Sequence, residues 1–223
     1  MKQLSEKIYI EAAYNIMKNE GLEKISIRKI AKVLDCSSAA LYKYFDGLDQ
    51  LILYASIRYL LPYIKDLNKK LKPEYDALTK HFIVWDAFAF HSFNNIKVFN
   101  HMFFSHYSDN FNHIVSHYYC MFEAEVRELE DMGVTFSRVG DFYARDMVMV
   151  NSCVNEGFFK AEDAELINKL GILIYMGAAK ELLDKSNLDK KLMRKKFMRC
   201  MRAAIMPFVQ KESTTLDTVM NKQ

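Results

Sequence analysis

Glycine and proline are scarce, with 7 and 3 copies in 223 residues. Turns are therefore few, and long uninterrupted helices are the expectation. No stretch alternates apolar and polar residues long enough to make a sheet, and no fixed-period repeat occurs. Cysteine is also sparse: Cys36, Cys120, Cys153 and Cys200 form no CxxC pair. This pattern excludes a disulfide framework and fits a reducing compartment, with the four thiols expected to be buried and inert. The excess of positive charge is only +3, too little to announce a nucleic-acid partner by itself. No apolar run approaches the length of a membrane span. The charges of Met1-Lys2-Gln3-Leu4-Ser5-Glu6-Lys7 recur too early for a secretory apolar region, so the cytoplasm is the expected location. Gly-rich phosphate loops, nucleophile elbows, paired carboxylates and HExxH are all missing. No catalytic residues, cofactor or metal are expected, and the chain does not read as an enzyme.

What is present is helical periodicity. Leu4, Ile8, Ala12 and Ile16 recur every four residues, widened by Ala13 and Met17, which predicts an amphipathic helix closed by Gly21. Ser26 is a fitting N-cap for a short helix over Ile27–Leu34, with Ile27, Ile30, Ala31 and Leu34 facing inward. Asp35-Cys36 makes a tight turn, for which Asp tolerates a positive φ. Ser37 or Ser38 can cap a third short helix over Ala39–Phe45. After a break at Asp46-Gly47, a long fourth helix is predicted over about 48–71. Residues 74–107 hold two aromatic-rich helices divided at Asn94-Asn95. Further helices are predicted over about 109–132, 137–159, 164–185 and 188–210, followed by a polar, frayed tail from Glu212. The fold class is all-α, with about ten helices.

Helices of seven or eight residues do not persist alone, so the second and third must pack on the first and fourth. Three helices with a tight turn between the last two make a helix-turn-helix. Charges around the turn lean positive, with Arg28, Lys29, Lys32 and Lys43 against Asp35. The hydroxyls of Ser26, Ser37, Ser38, Tyr42 and Tyr44 suit phosphate oxygens. The pattern Ile8-x3-Ala12-Ala13-x2-Ile16-Met17-x3-Gly21, Ile25-Ser26-Ile27-x2-Ile30-Ala31, Ser37-x3-Leu41-Tyr42-x-Tyr44-Phe45 resembles the signature of the tetracycline-repressor (TetR) family over about residues 4–55.

That resemblance implies a DNA-binding domain over 1–47 and a ligand-binding and dimerisation domain over 48–223. It implies that Ser26 caps and touches a phosphate, and that Arg28 reaches a phosphate or a base edge. Ser37, Ser38, Ala39 and Ala40 would open the recognition helix against the major groove. Tyr42 and Tyr44 would clasp the DNA backbone beside Lys43, with Leu41 and Phe45 in the core. Three positions depart from the family pattern: Asp35 stands for Gly at the turn, Ala40 for a small polar residue, and Leu48 for a Lys. The last removes one phosphate contact per protomer.

The expected function is a ligand-responsive transcriptional regulator, a repressor binding a near-palindromic double-stranded operator as a homodimer. The alternative is a helical ligand- or protein-binding module with weakened DNA binding. Leu166, Leu170, Leu173, Ile174, Gly177 and Ala178, with Leu192, Phe197, Met201, Ile205 and Phe208, are the expected dimer seam, with Gly171 and Gly177 allowing close approach. A small apolar or aromatic effector would be lined by Trp85, Phe88, Phe99, Met102, Phe103, Tyr107, Phe111, Tyr118, Tyr143 and Met147, residues that also suit an ordinary core. All six histidines lie between 81 and 117. His113 and His117 share a helix face, where His106 or Glu123 could join them as metal ligands. No metal signature supports that, so polar wall or surface roles are the expectation. The basic run Lys190, Lys191, Arg194, Lys195, Lys196, Arg199 and Arg202 reads as a solvated face, with acidic partners, anionic membrane or additional DNA as its rival reading.

Overall fold

The computed structural model describes residues 4–104, 111–123, 142–185 and 187–220. Among them regular structure is wholly helical, with no strand. The α-helices are α1 (Glu6–Glu20), α2 (Ile27–Leu34), α3 (Leu48–Ser56), α4 (Leu60–Lys70), α5 (Ala77–Asn94) and α6 (Ile96–Phe104). They continue as α7 (Phe111–Met121), α8 (Phe142–Asn155), α9 (Ala164–Asp184), α10 (Lys190–Ile205) and α11 (Leu216–Met220). The described residues of 1–61 and 97–138 form one compact unit, and those of 62–96 and 139–223 form another. No helix among the described residues is long and apolar enough to cross a membrane.

In the first unit α1 buries Ala12, Ala13, Ile16 and Met17 of the expected face, while Ile8 is half-buried and Leu4, also half-buried, precedes the helix. Tyr9 joins them, its ring tilted against that of Tyr44 and edge-on to that of Phe45, with centroids 5.5 and 6.1 Å away. Phe45 in turn meets Tyr54 of α3 at 5.7 Å. Gly21 ends α1 at φ 96°, a conformation that a Cβ would strain. Helices α6 and α7 belong to this unit too. His101 Nε2 lies 3.3 Å from the Asp49 carbonyl, and Lys97 pairs with Glu23.

The second unit is built around large rings. Trp85 of α5 lies 5.8 Å from both Phe142 and Phe197. Phe88 lies 5.2 Å from Phe142 and 5.1 Å from Tyr175. Gly171 is where α9 meets Trp85: a Cβ there would stand 3.2 Å from the indole. A buried polar layer crosses the same unit. Asp86 accepts two 2.6 Å hydrogen bonds from Arg194, and Asn168 Nδ2 donates to Asp146 at 3.2 Å.

Several expectations are corrected. The third helix is not an α-helix but a six-residue 3-10 segment, Ser38–Lys43. So few residues gain little from an i→i+4 ladder, and turns of this length commonly tighten. The fourth helix is interrupted by a 3-10 turn at Ile57–Tyr59, because Pro62 has no N–H for the carbonyl four residues earlier. The tail does not fray where it is described. Leu216 is buried, and Ser213 and Thr215 donate to Asp76 Oδ2 at 2.6 and 3.2 Å. Nor are the cysteines all buried: Cys120 and Cys200 are exposed. The inward stripe of α10 is Met193, Phe197, Met201 and Ile205, a spacing of four that turns Cys200 outward.

Candidate nucleic-acid interface

Helix α2 starts as its sequence requires. Ser26 Oγ accepts from the Lys29 amide at 3.2 Å, which leaves the Ser26 hydroxyl proton available to donate outward. Asp35 closes α2 at φ 51°, the single positive φ among the described non-glycine residues. The Cys36 amide donates back to the Ala31 carbonyl at 3.0 Å. Beyond this turn, Leu41 and Phe45 are buried and anchor the 3-10 segment. Ser37, Ser38, Ala39, Tyr42 and Lys43 are exposed on its other side, with Ala40 half-buried. Tyr42 is 59% exposed, much for an aromatic ring.

The expected contact residues thus divide. Ser26, Arg28, Ser37, Ser38, Ala39, Tyr42 and Lys43 are each exposed. Tyr44 is half-buried and donates its hydroxyl to the Leu4 carbonyl at 2.7 Å. A phosphate oxygen accepts hydrogen bonds, so Tyr44 has no proton for it while this bond stands. Lys29 is paired with Glu20, which removes one cation from the count. Val33, 59% exposed, is an apolar group of α2 that the sequence reading passed over. Its position outside the 27, 30, 31, 34 stripe was the available signal. Asp46 and Gln50 were missed as well. Gln50 accepts from the Asp46 amide at 2.8 Å and donates to its carboxylate at 2.9 Å, fixing the entry to α3.

The head is tied from behind by α7. Burial, with Glu6 and Asp46 nearby, pushes the Tyr54 phenol up to about 12. It therefore remains a donor at neutral pH, 2.9 Å from His117 Nδ1. His117 Nε2 faces Glu6 at 3.3 Å. Arg58 Nε donates to the Tyr118 hydroxyl at 3.2 Å, and its guanidinium covers the Phe122 ring at 4.8 Å. His113 is exposed, with its ring 6.4 Å from that of His117, and among the described residues no three His, Cys, Asp or Glu side chains are grouped to hold a metal. His106 lies outside the described residues.

The expected effector lining is distributed over both units. Phe99, Met102, Phe103 and Tyr118 are buried in the first. Trp85 and Phe88 are buried in the second, Met147 is half-buried there, and Tyr143 is exposed. Tyr107 and the Phe111 side chain lie outside the described residues. Of the basic run, Arg194 is bound to Asp86, Arg202 to Asp217 at 2.6 Å, and Lys190 to the Asn94 carbonyl at 3.4 Å. Lys191, Lys195, Lys196 and Arg199 remain exposed.

A short capped helix, a left-handed turn and a second segment with a polar exposed face define a helix-turn-helix protein. Residues 10–55 match the model of the family described as bacterial regulatory proteins, tetR family. No curated protein matches the sequence. Among solved structures the chain is similar to FadR of Thermus thermophilus, a TetR-family repressor in complex with lauroyl-CoA. The TM-score is 0.59 at 9% identity, covering 94% of this chain and 98% of that one. It is similar to RolR in complex with resorcinol, with TM-score 0.59, 14% identity and coverage of 98% and 93%. It is also similar to SmeT, repressor of a Stenotrophomonas maltophilia multidrug efflux pump, with TM-score 0.53, 13% identity and 96% of each chain covered. The chain shares the fold of these structures, and residues 10–55 match the model of the tetR family's N-terminal region.

Proposed function

We propose that this chain is a cytoplasmic, ligand-responsive DNA-binding regulator, a repressor that holds a near-palindromic operator as a homodimer and acts as no enzyme. Residues 1–47 are its DNA head, and 48–223 bind ligand and dimerise. The observation carrying this reading is the face of Ser37, Ser38, Ala39, Tyr42 and Lys43, exposed while Leu41 and Phe45 hold the segment from beneath. Ser38 and Ala39 read base edges; Ser26, Arg28, Tyr42 and Lys43 grip phosphates. Tyr44 serves instead to fix the start of α1.

Dimerisation is supported by apolar side chains that the protomer leaves outside. On α9 these are Leu166, Leu173 and Met176, and on α10 Leu192, with Leu173 and Leu192 each 51% exposed. A Cβ at Gly177 would meet nothing within 4 Å, which leaves room for a partner helix. Phe197, Met201 and Ile205 are withdrawn from the expected seam, because they are buried in the protomer's own core. An apolar or aromatic effector fits the abundance of buried rings. Two similar structures hold resorcinol and lauroyl-CoA.

Selection of bound duplexes from a random DNA pool tests this reading. We expect an inverted repeat whose half-sites are one helical turn apart. Failure to enrich any sequence at low salt would sink it and leave a helical binding module. Leu48, in place of a phosphate-binding cation, and the internal bond of Tyr44 are the observations on that side.

A further inference from the structure

The C-terminal tail does more than close the second unit. Between α11 and the end of α4 runs an open groove of about 480 Å³, lined by Lys69, Lys70, Lys72, Tyr75, Ile83, Thr214, Thr215, Thr218 and Val219. Its volume lies within the range of small-molecule sites. Three ammonium groups and no carboxylate line it. The C-terminal dipole of α4 offsets only about half a charge. Lys70 is also offset, being 2.9 Å from Asp66. Lys69 and Lys72 have no carboxylate partner among the described residues, and both are exposed.

The neutral lining groups complete an amphipathic site. The Thr215 hydroxyl is spent on Asp76, 3.2 Å away. Those of Thr214 and Thr218 make no hydrogen bond among the described residues, so both can donate to an anion. Ile83 and Val219 supply an apolar floor, with the Tyr75 ring beside them, 5.9 Å from Lys72 Nζ. None of the residues expected to bind an effector lies in this lining.

We propose that this groove binds a small amphipathic anion, with a phosphate or carboxylate head on Lys69, Lys72, Thr214 and Thr218 and a short apolar body over Ile83 and Val219. Two cations and two hydroxyls match an oxyanion with several acceptor atoms. A neutral apolar molecule would leave the ammonium groups without a counter-charge.

The site is independent of DNA binding and is tested without it. Octyl phosphate and octanoate are titrated calorimetrically into the full chain, with octanol as the neutral control. At least one anion should bind, and octanol should not. The double variant Lys69→Ala/Lys72→Ala should weaken the better anion about tenfold, the loss of two charge-assisted contacts. Thr218→Glu, an exposed change that places a carboxylate in the groove, should abolish binding at unchanged Tm. The relative affinities of octyl phosphate and octanoate tell which head the groove takes. Binding of neither anion, or binding indifferent to both variants, overturns the proposal.

Discussion

Two tyrosines two residues apart illustrate how little the residue type alone decides. Tyr42 projects from the 3-10 segment, whereas Tyr44 lies against Tyr9 with its hydroxyl on the Leu4 carbonyl. Tyr42→Ala should therefore weaken all operator variants about equally and leave stability within about 0.5 kcal/mol, as for other exposed positions. Tyr44→Phe should do the opposite, costing about 1 kcal/mol of stability, the worth of one hydrogen bond. Gel shifts at a fixed salt concentration and urea unfolding separate the two. Asp35 offers a further check at the turn. Its φ of 51° is tolerated by Asp through its short polar side chain. Asp35→Ala should lose about 1 kcal/mol, while Asp35→Gly, which meets no Cβ penalty, should lose less in the same unfolding experiment.

At the scale of elements, α5 begins at a junction that depends on one carboxylate. Asp76 Oδ1 accepts from the Thr79 amide at 2.8 Å, and its other oxygen accepts from Ser213 and Thr215 of the tail. Partial burial pushes the Asp76 carboxyl up, but bonds from Ser213, Thr79 and Thr215 outweigh it and hold the group below its ordinary range. A depressed carboxyl contributes stability above its unfolded value of about 3.9 and loses it as pH falls through the folded value. The tail should thus stay docked at neutral pH and become protease-sensitive below about pH 4. Asp76→Asn should release it at neutral pH as well. A tail equally resistant in both proteins at pH 7 would remove Asp76 from this role. None of this was legible beforehand, because residues 212–220 are short, polar and Ser/Thr-rich, and their partner lies more than a hundred positions earlier. By contrast, Ser26 and Asp35 could be read directly, since a cap and a left-handed turn are set by bonds within five residues. The packed rings were legible as apolar. Their assignment to a ligand or to the core was not, because both use the same side chains at the same spacing.

For the whole molecule, the proposed DNA face of one protomer offers Arg28, Lys32 and Lys43 as cations without a carboxylate partner among the described residues, Lys29 being paired with Glu20. With about one counterion released per phosphate contact, so few cations give weak binding with a shallow salt dependence. Linking two such heads makes the second contact intramolecular and raises affinity by about 10² to 10⁴ without any new side chain. The exposed leucines of α9 and α10 are where that linkage is expected. Burying one leucine contributes about 1.5–3 kcal/mol, and a two-fold axis counts each twice. Leu173 lies outside the protomer's core, so Leu173→Asp should leave the circular dichroism spectrum unchanged. It should convert a dimer to a monomer in sedimentation equilibrium and lower operator affinity about 100-fold or more, the avidity lost with the second head. A Leu173→Asp protein that still sediments as a dimer would move the seam away from α9. One that becomes monomeric yet binds the operator as before would show that a single head suffices.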